Sequence, residues 1–237
     1  DYDRSGFARK TFKARIELAD TSYSQDIEYL VAQPVIKVTT GNAPTLYMNC
    51  GNTVNIEVPT LGTDYNPSFG SGGTAEIIKG DKPGKVTIIP KQRKVKVSVA
   101  NGDTQIGVVD FDVKPIPRPR FVAKETNGKE VDMRNGVKRA SLTGLRIVAE
   151  AEENFKQEVP KDAVYRIRTM DVIHARGTAP INRKTFTNEN LELAAWRAQF
   201  RPGDQIVVDI KTVTRRTFKG EDEKVDIRSE IIRVPIQ

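Results

Sequence analysis

The chain has 237 residues, enough for one large or two small domains. Its 38% hydrophobic and 29% charged residues support a folded core and exclude a disordered or acidic-tail protein, and a net charge of +7 makes the surface mildly basic. One histidine and one cysteine exclude an intramolecular disulfide and a Cys/His zinc site, which needs about four ligands.

The chain opens at Asp1 without a methionine or a signal peptide, so it reads as a piece of a longer protein. No run reaches the roughly 18 apolar residues of a membrane helix. From Phe12 to Leu18, the apolar Phe12, Ala14, Ile16 and Leu18 alternate with Lys13, Arg15 and Glu17. Ile27–Val31 follows after Asp20-Thr21-Ser22, which predicts a hairpin closed by Gln33-Pro34. Residues 1–34 are too few for a domain and are expected to be the C-terminal tail of an upstream β domain. Its edges could pair with a second chain.

Residues 35–116 carry seven short candidate strands, at 35–39, 44–48, 53–58, 74–78, 85–89, 93–100 and 105–113. Turn signals separate them: Gly41-Asn42, Cys50-Gly51-Asn52, a loop over Pro67–Gly73, Lys82-Pro83-Gly84 and Asn101-Gly102. Asn-Gly is the strongest of these, because both residues accept positive φ. About seven strands in this length predict an immunoglobulin-like β-sandwich, without the disulfide and core Trp usual there. The alternating prolines of Lys114–Arg120 predict an extended, semi-rigid spacer.

Residues 117–237 form a distal β-rich domain. A hairpin is expected from Phe121–Lys124 and Lys129–Met133 around Asn127-Gly128, with long strands at Ser141–Glu150, Ala163–His174, Gln205–Thr217 and Lys224–Pro235. A helix is expected near 189–200, where Leu191, Ala194, Ala195 and Ala198 would share one face, and Arg201-Pro202-Gly203 stops it. The fold class is therefore mainly β: serial β-sandwich-like modules, immunoglobulin-like in the middle, with one or two helices in the distal domain.

Little in the chain looks like catalysis. Gly70–Gly73 is glycine-rich, but Thr74-Ala75-Glu76-Ile77 opens a strand where a phosphate-binding loop needs a helix. The acidic runs Glu152-Glu153 and Glu221-Asp222-Glu223 lie near turns and read as solvated rather than as an acid/base pair in a shielded cleft. His174 falls on the strand face opposite Tyr165, Ile167 and Thr169 and reads as a surface or edge residue. Trp196 reads as core, and the lone Cys50 as buried. No catalytic, cofactor or metal residue, and no small-molecule substrate, is expected.

The basic excess belongs to the distal domain. Residues 1–116 hold 14 Lys/Arg and 13 Asp/Glu, whereas residues 117–237 hold 24 and 18. Nucleic-acid binding would want interleaved aromatics or a recognition helix, and the expected helix carries only Arg197 before it ends at Arg201. Arg215-Arg216, near Phe218, admits three readings: a solvated hairpin flank, a basic surface that docks a protein partner and, least supported, a nucleic-acid contact. On the second reading Arg215 and Arg216 carry the docking, with Arg183 and Lys184 behind them.

The stretch Thr45-Leu46-Tyr47-Met48-Asn49-Cys50-Gly51-Asn52-Thr53-Val54-Asn55-Ile56-Glu57-Val58-Pro59 resembles the periplasmic region of GldM/PorM proteins, with its short strand, Gly-Asn turn and "xIxVPG" strand. Thr60 stands where that family usually has Gly. Ala163-Val164-Tyr165-Arg166-Ile167 leading to Ala175-Arg176-Gly177, and Arg201-Pro202-Gly203-Asp204-Gln205-Ile206 leading to Lys211-Thr212-Val213, resemble its distal module. The resemblance spans nearly the whole chain. It implies a non-enzymatic component of the type IX secretion and gliding machinery, in the periplasm, whose parent protein is anchored in the inner membrane by an N-terminal helix. It further implies an elongated homodimer. This dimer would link a motor formed with a PorL/GldL-type partner to an outer-membrane-associated ring of PorK/PorN-type proteins, transmitting force without a cofactor. No functional residue carries over one by one. The competing reading is a cell-surface or polysaccharide-binding adhesin of immunoglobulin-like modules, which an exposed aromatic row would favour; only 7% of residues are aromatic.

Overall fold

Alternating runs broken by turn residues make this a chain of antiparallel strands, seen in a computed structural model that describes residues 2–39 and 45–237. The turn expected at Gly41-Asn42 lies outside the described residues. The chain divides into two compact units, one of Asp1–Leu46 and Thr53–Val113, the other of Tyr47–Asn52 and Lys114–Gln237.

The first unit begins with a hairpin of β1 (Phe7–Leu18) and β2 (Thr21–Ala32), in the register Phe12↔Ile27 and Ile16↔Tyr23. The period of two places Phe12, Ile16 and Leu18 on one face with Tyr23, Ile27 and Tyr29, and each of these is at least 40% exposed. The sandwich that follows uses β3 (Lys37–Thr39), β4 (Thr45–Tyr47), β5 (Asn52–Glu57), β6 (Pro67–Gly70), β7 (Ala75–Lys79), β8 (Lys85–Pro90), β9 (Lys94–Asn101) and β10 (Thr104–Lys114). Its sheets run β4-β10-β9-β6 and β3-β5-β8-β7. Leu46, Val95, Val97, Val99 and Phe111 from one sheet meet Val54, Ile56, Val86 and Ile88 from the other. Each such buried side chain contributes about 1.5–3 kcal/mol. β6 falls where the sequence predicts a loop. Four residues that open on Pro and close on Gly carry a weak strand signal, and pairing with β9 supplies the rest.

The second unit is built from β11 (Arg120–Glu125), β12 (Gly144–Glu150), α1 (Glu153–Glu158), β13 (Val164–Arg176), β14 (Ala179–Phe186), β15 (Asn190–Glu192), β16 (Asp204–Arg216), β17 (Asp222–Val225) and β18 (Glu230–Pro235). One sheet runs β11-β12-β15; the other runs β14-β13-β16-β17, with β18 also paired to β16. Ala123, Leu145 and Ile147 pack against Ile167, Met170, Val172, Ile206 and Val208 in one core between the sheets. The fold is thus mainly β, in serial sandwich modules.

Several local expectations are corrected. The helix near 189–200 is shorter and tighter than its spacing predicts. Asn190–Glu192 pairs with β12 as β15, and Ala194–Gln199 is a 3-10 helix with no buried residue. Leu191 is buried as a strand residue opposite Leu145, so a sheet edge has overridden a helical spacing. Lys129–Met133 forms no strand, only a bridge between Glu130 and Lys124, and Lys224–Pro235 is divided into β17 and β18. The proline run is not a free spacer: Ile116 packs on the core of the second unit, and Tyr165 donates its hydroxyl proton to the Pro117 carbonyl at 3.1 Å.

Candidate functional site

The functional expectation rests on basic side chains of the second unit, and the structure separates them. Arg215 is only 2% exposed, so it cannot dock a partner. Its Nη1 donates to Asp162 Oδ1 at 2.9 Å and to the Asp162 carbonyl at 3.2 Å, and lies 3.7 Å from Cys50 Sγ; its Nη2 donates to Glu223 Oε2 at 2.7 Å. A guanidinium with five donors and no acceptor is buried only where carboxylates and carbonyls surround it.

Asp162 is the hub of this cluster. Its Oδ2 accepts from the Gly51 amide at 3.0 Å and its Oδ1 from the Phe218 amide at 3.1 Å. Three turns, around Cys50, Asp162 and Phe218, therefore converge on one carboxylate. The Cys50 turn is shaped by Asn52, whose Oδ1 accepts from the Tyr47 amide at 2.7 Å and whose Nδ2 donates to the Tyr47 and Cys50 carbonyls. Asn49 takes the left-handed conformation, with φ of 54°. Burial pushes the Cys50 thiol up to about 12, with the Asp162 charge adding to it and Arg215 opposing. Burial likewise pushes the Tyr165 phenol up to about 12. Such a thiol is protonated and inert at neutral pH.

The other three docking candidates are exposed but scattered. Arg216 sits opposite Val164 at one end of β13, whereas Arg183 and Lys184 sit opposite Ile173 and Val172. Nine residues of strand separate Val164 from Ile173, about 30 Å at roughly 3.3 Å per residue. Arg183 is already paired with Asp171 at 2.9 Å, and Lys184 lies 4.8 Å over the Phe186 ring. These residues do not form one patch.

His174 is a second correction: it is fully buried, not at an edge. The β13–β16 register shifts around Thr169. One extra residue on β13 and then one on β16 exchange the two faces, so Tyr165 and Ile167 point inward before them and Met170, Val172 and His174 after them. His174 Nε2 lies 2.7 Å from Asp204 Oδ2, its Nδ1 lies 3.3 Å from Asn182 Nδ2, and Phe200 meets the ring edge-on at 4.9 Å. Asp204 also accepts two bonds from Arg176 and one from the Arg201 amide. The Arg176 bonds, with those from His174 and Arg201, outweigh burial and hold the Asp204 carboxyl well below the usual carboxylate range.

The acidic runs have structural duties too. Glu152 caps α1, accepting from the Asn154 and Phe155 amides, while Glu223 and Asp222 pair with Arg215 and Arg168. Trp196 is half-buried against the core. Among the described residues no buried side-chain nitrogen or oxygen lacks a partner, and no helix is long and apolar enough to cross a membrane.

The second unit is thus a β-sandwich whose buried ionisable groups are bound to one another. The family model for the GldM third domain matches residues 35–114, and that for the GldM C-terminal domain matches residues 114–237; the chain belongs to the GldM family. That family is a structural component of gliding motility and type IX secretion, not a known enzyme family, and is the periplasmic part of an inner-membrane-anchored protein. No curated protein matches. Among solved structures, the chain is similar to the adhesin InvE of Yersinia pseudotuberculosis, at 12% identity and a TM-score of 0.24, over 85% of this chain and 58% of that one. Similarity to the surface layer protein SbsC, domains 4–9, is 14% in identity with a TM-score of 0.28, over 96% of this chain and 35% of that one. The chain spans less than two thirds of both, and at these scores neither likeness carries an argument.

Proposed function

We propose that the chain is a non-enzymatic, force-transmitting periplasmic element of the type IX secretion system. It acts as a homodimer whose parent protein meets a PorL/GldL-type motor partner at the inner membrane, and whose second unit docks on a PorK/PorN-type ring. The observation that carries this reading is the pair of adjoining family matches over 35–237. The internal ion pairs suit the role, because a module that transmits force needs a core that does not yield, and buried, fully bonded polar networks rigidify one. The basic excess of residues 117–237 suits docking, since surface charge raises association rates and fixes orientation.

Capture of ring proteins by the purified chain tests the docking step, and light scattering tests the dimer. Capture that weakens with rising salt, and a mass near twice 26.4 kDa, are expected. No capture at any salt concentration overturns the docking role, and a monomer overturns self-association through this part of the protein.

A further inference from the structure

The second unit has a concavity of about 810 Å³ remote in function from any of the ion-paired clusters described above. It is lined by Ala140, Ala194, Ala198 and Gln237 together with Lys138, Arg139 and Arg197, all exposed. None of these three cations holds a carboxylate among the described residues. Some exposed basic side chains of this unit are paired, Arg120, Arg146, Arg168, Arg183 and Lys211 each holding one, while others, such as Arg134 and Arg216, are not. Three like charges around one hollow repel each other, and a facing anion relieves that repulsion.

We propose that this concavity is the docking site for an acidic polypeptide segment of a protein partner, with Lys138, Arg139 and Arg197 taking its Asp and Glu carboxylates and the alanines its chain. The inference rests on the docking reading above for the existence of a partner, not for its chemistry. Arg197 is preorganised: its Nη2 donates to the Ala140 carbonyl at 2.6 Å, which fixes the guanidinium beside Ala140 with donors to spare. A small oxyanion would meet the same cations but would gain little from the backbone. Here the Arg139 amide donates to the Gln237 carbonyl and the Trp196 amide to Leu193. Long cationic side chains from two separate segments among small residues match carboxylates strung along an extended chain. The exposed Ala194 and Ala198, which sequence periodicity assigns to a buried helix face, gain a role here.

The test is fluorescence anisotropy of a labelled hexaglutamate peptide on the full chain, with hexaglutamine as the uncharged control. Saturable hexaglutamate binding is expected, and the K138E/R139E/R197E variant should weaken it by about tenfold or more. The K91E/R93E/K94E variant makes the same charge change on an exposed turn of the first unit and should weaken it by less than about threefold. Equal losses in the two variants would mean that only net charge is read, and overturn the site. If K138E/R139E/R197E melts lower, K138Q/R139Q leaves the Arg197–Ala140 bond in place and must still weaken binding. Displacement by inorganic phosphate at the peptide's own concentration overturns the polypeptide assignment in favour of a small-anion site. Ring capture by the same variants separates the two readings. Retained capture with lost peptide binding overturns the concavity as the docking site and spares the docking role. Peptide binding without any ring capture does the reverse.

Discussion

A single carboxylate holds three turns of the second unit together. Asp162 is fully buried, accepts from two backbone amides and faces a guanidinium that is equally shut away from water. Removing it leaves a buried cation without its main partner, so Asp162→Ala should cost about 3–5 kcal/mol in a denaturant titration. The same variant should open Cys50 to alkylation that the folded chain resists, because the inert thiol depends on the packing of that turn. Arg215→Glu should lower the melting temperature, whereas Arg216→Glu, one residue on and exposed, should leave it unchanged. Asp204 makes a different prediction. Its carboxyl is held below its unfolded value, about 3.9, so its contribution to stability is fully present above that value and is lost as pH falls through the folded one. The melting-temperature gap between the native chain and Asp204→Asn should therefore be widest near neutral pH and narrow steadily below about pH 4. A gap that does not change with pH would mean that Asp204 acts by shape alone.

At the scale of elements, what could be read in advance depended on how local the signal was. The sandwich of the first unit was legible because its strands alternate strictly and its turns carry Asn-Gly or Pro-Gly, signals that need no distant partner. β15 was not legible: the spacing of Leu191, Ala194, Ala195 and Ala198 is helical, and only the edge of β12 makes Asn190–Glu192 a strand. The burial of His174 is not legible either, because a count of faces from Tyr165 crosses register shifts that the sequence does not mark. The burial of Arg215 has no local signal, because it depends on Asp162, 53 residues earlier, and on the Cys50 turn, 165 residues earlier. The basic concavity was equally hidden, since Arg139 and Arg197 are distant in sequence and meet only in the fold. The Cys50 turn also shows how tightly such a meeting is fitted. A Cβ on Gly51 would lie 2.6–2.9 Å from three carbons of the Phe218 ring. Gly51→Ala should therefore destabilise the second unit by about 1–3 kcal/mol, and Phe218→Leu, by removing the flat ring face, should restore part of the loss. The hairpin of β1 and β2 gives the opposite expectation. Leu18 is 72% exposed and Tyr23 64%, so Leu18→Lys and Tyr23→Lys should each change chain stability by less than about 0.5 kcal/mol.

For the molecule as a whole, family boundaries and folding boundaries differ. The C-terminal family domain begins at residue 114, yet the compact unit that contains it also takes Tyr47–Asn52. Those six residues supply the Tyr47 ring that meets Phe155 edge-on at 4.9 Å, the Gly51 amide on Asp162 and the Cys50 side chain beside Arg215. A chain cut to residues 114–237 keeps the strands but loses these groups. Phe155 is then open on one side, and Asp162 and Arg215 are partly hydrated where they were enclosed. Loss of an aromatic contact, a buried hydrogen bond and the packing of a small core residue should together cost more than about 3 kcal/mol. Trp196 is the sole tryptophan and lies in this unit, so its fluorescence follows the unfolding of the unit in both chains without interference from the first. The truncated chain should unfold at a clearly lower denaturant concentration, with a similar slope, because nearly the same surface is exposed on unfolding. Coincident midpoints would show that the turn is a passenger and that residue 114 is also the folding boundary. A lower midpoint would mean that the unit is completed by a segment that the sequence assigns to its neighbour, and that a docking measurement on residues 114–237 alone reads a weakened module.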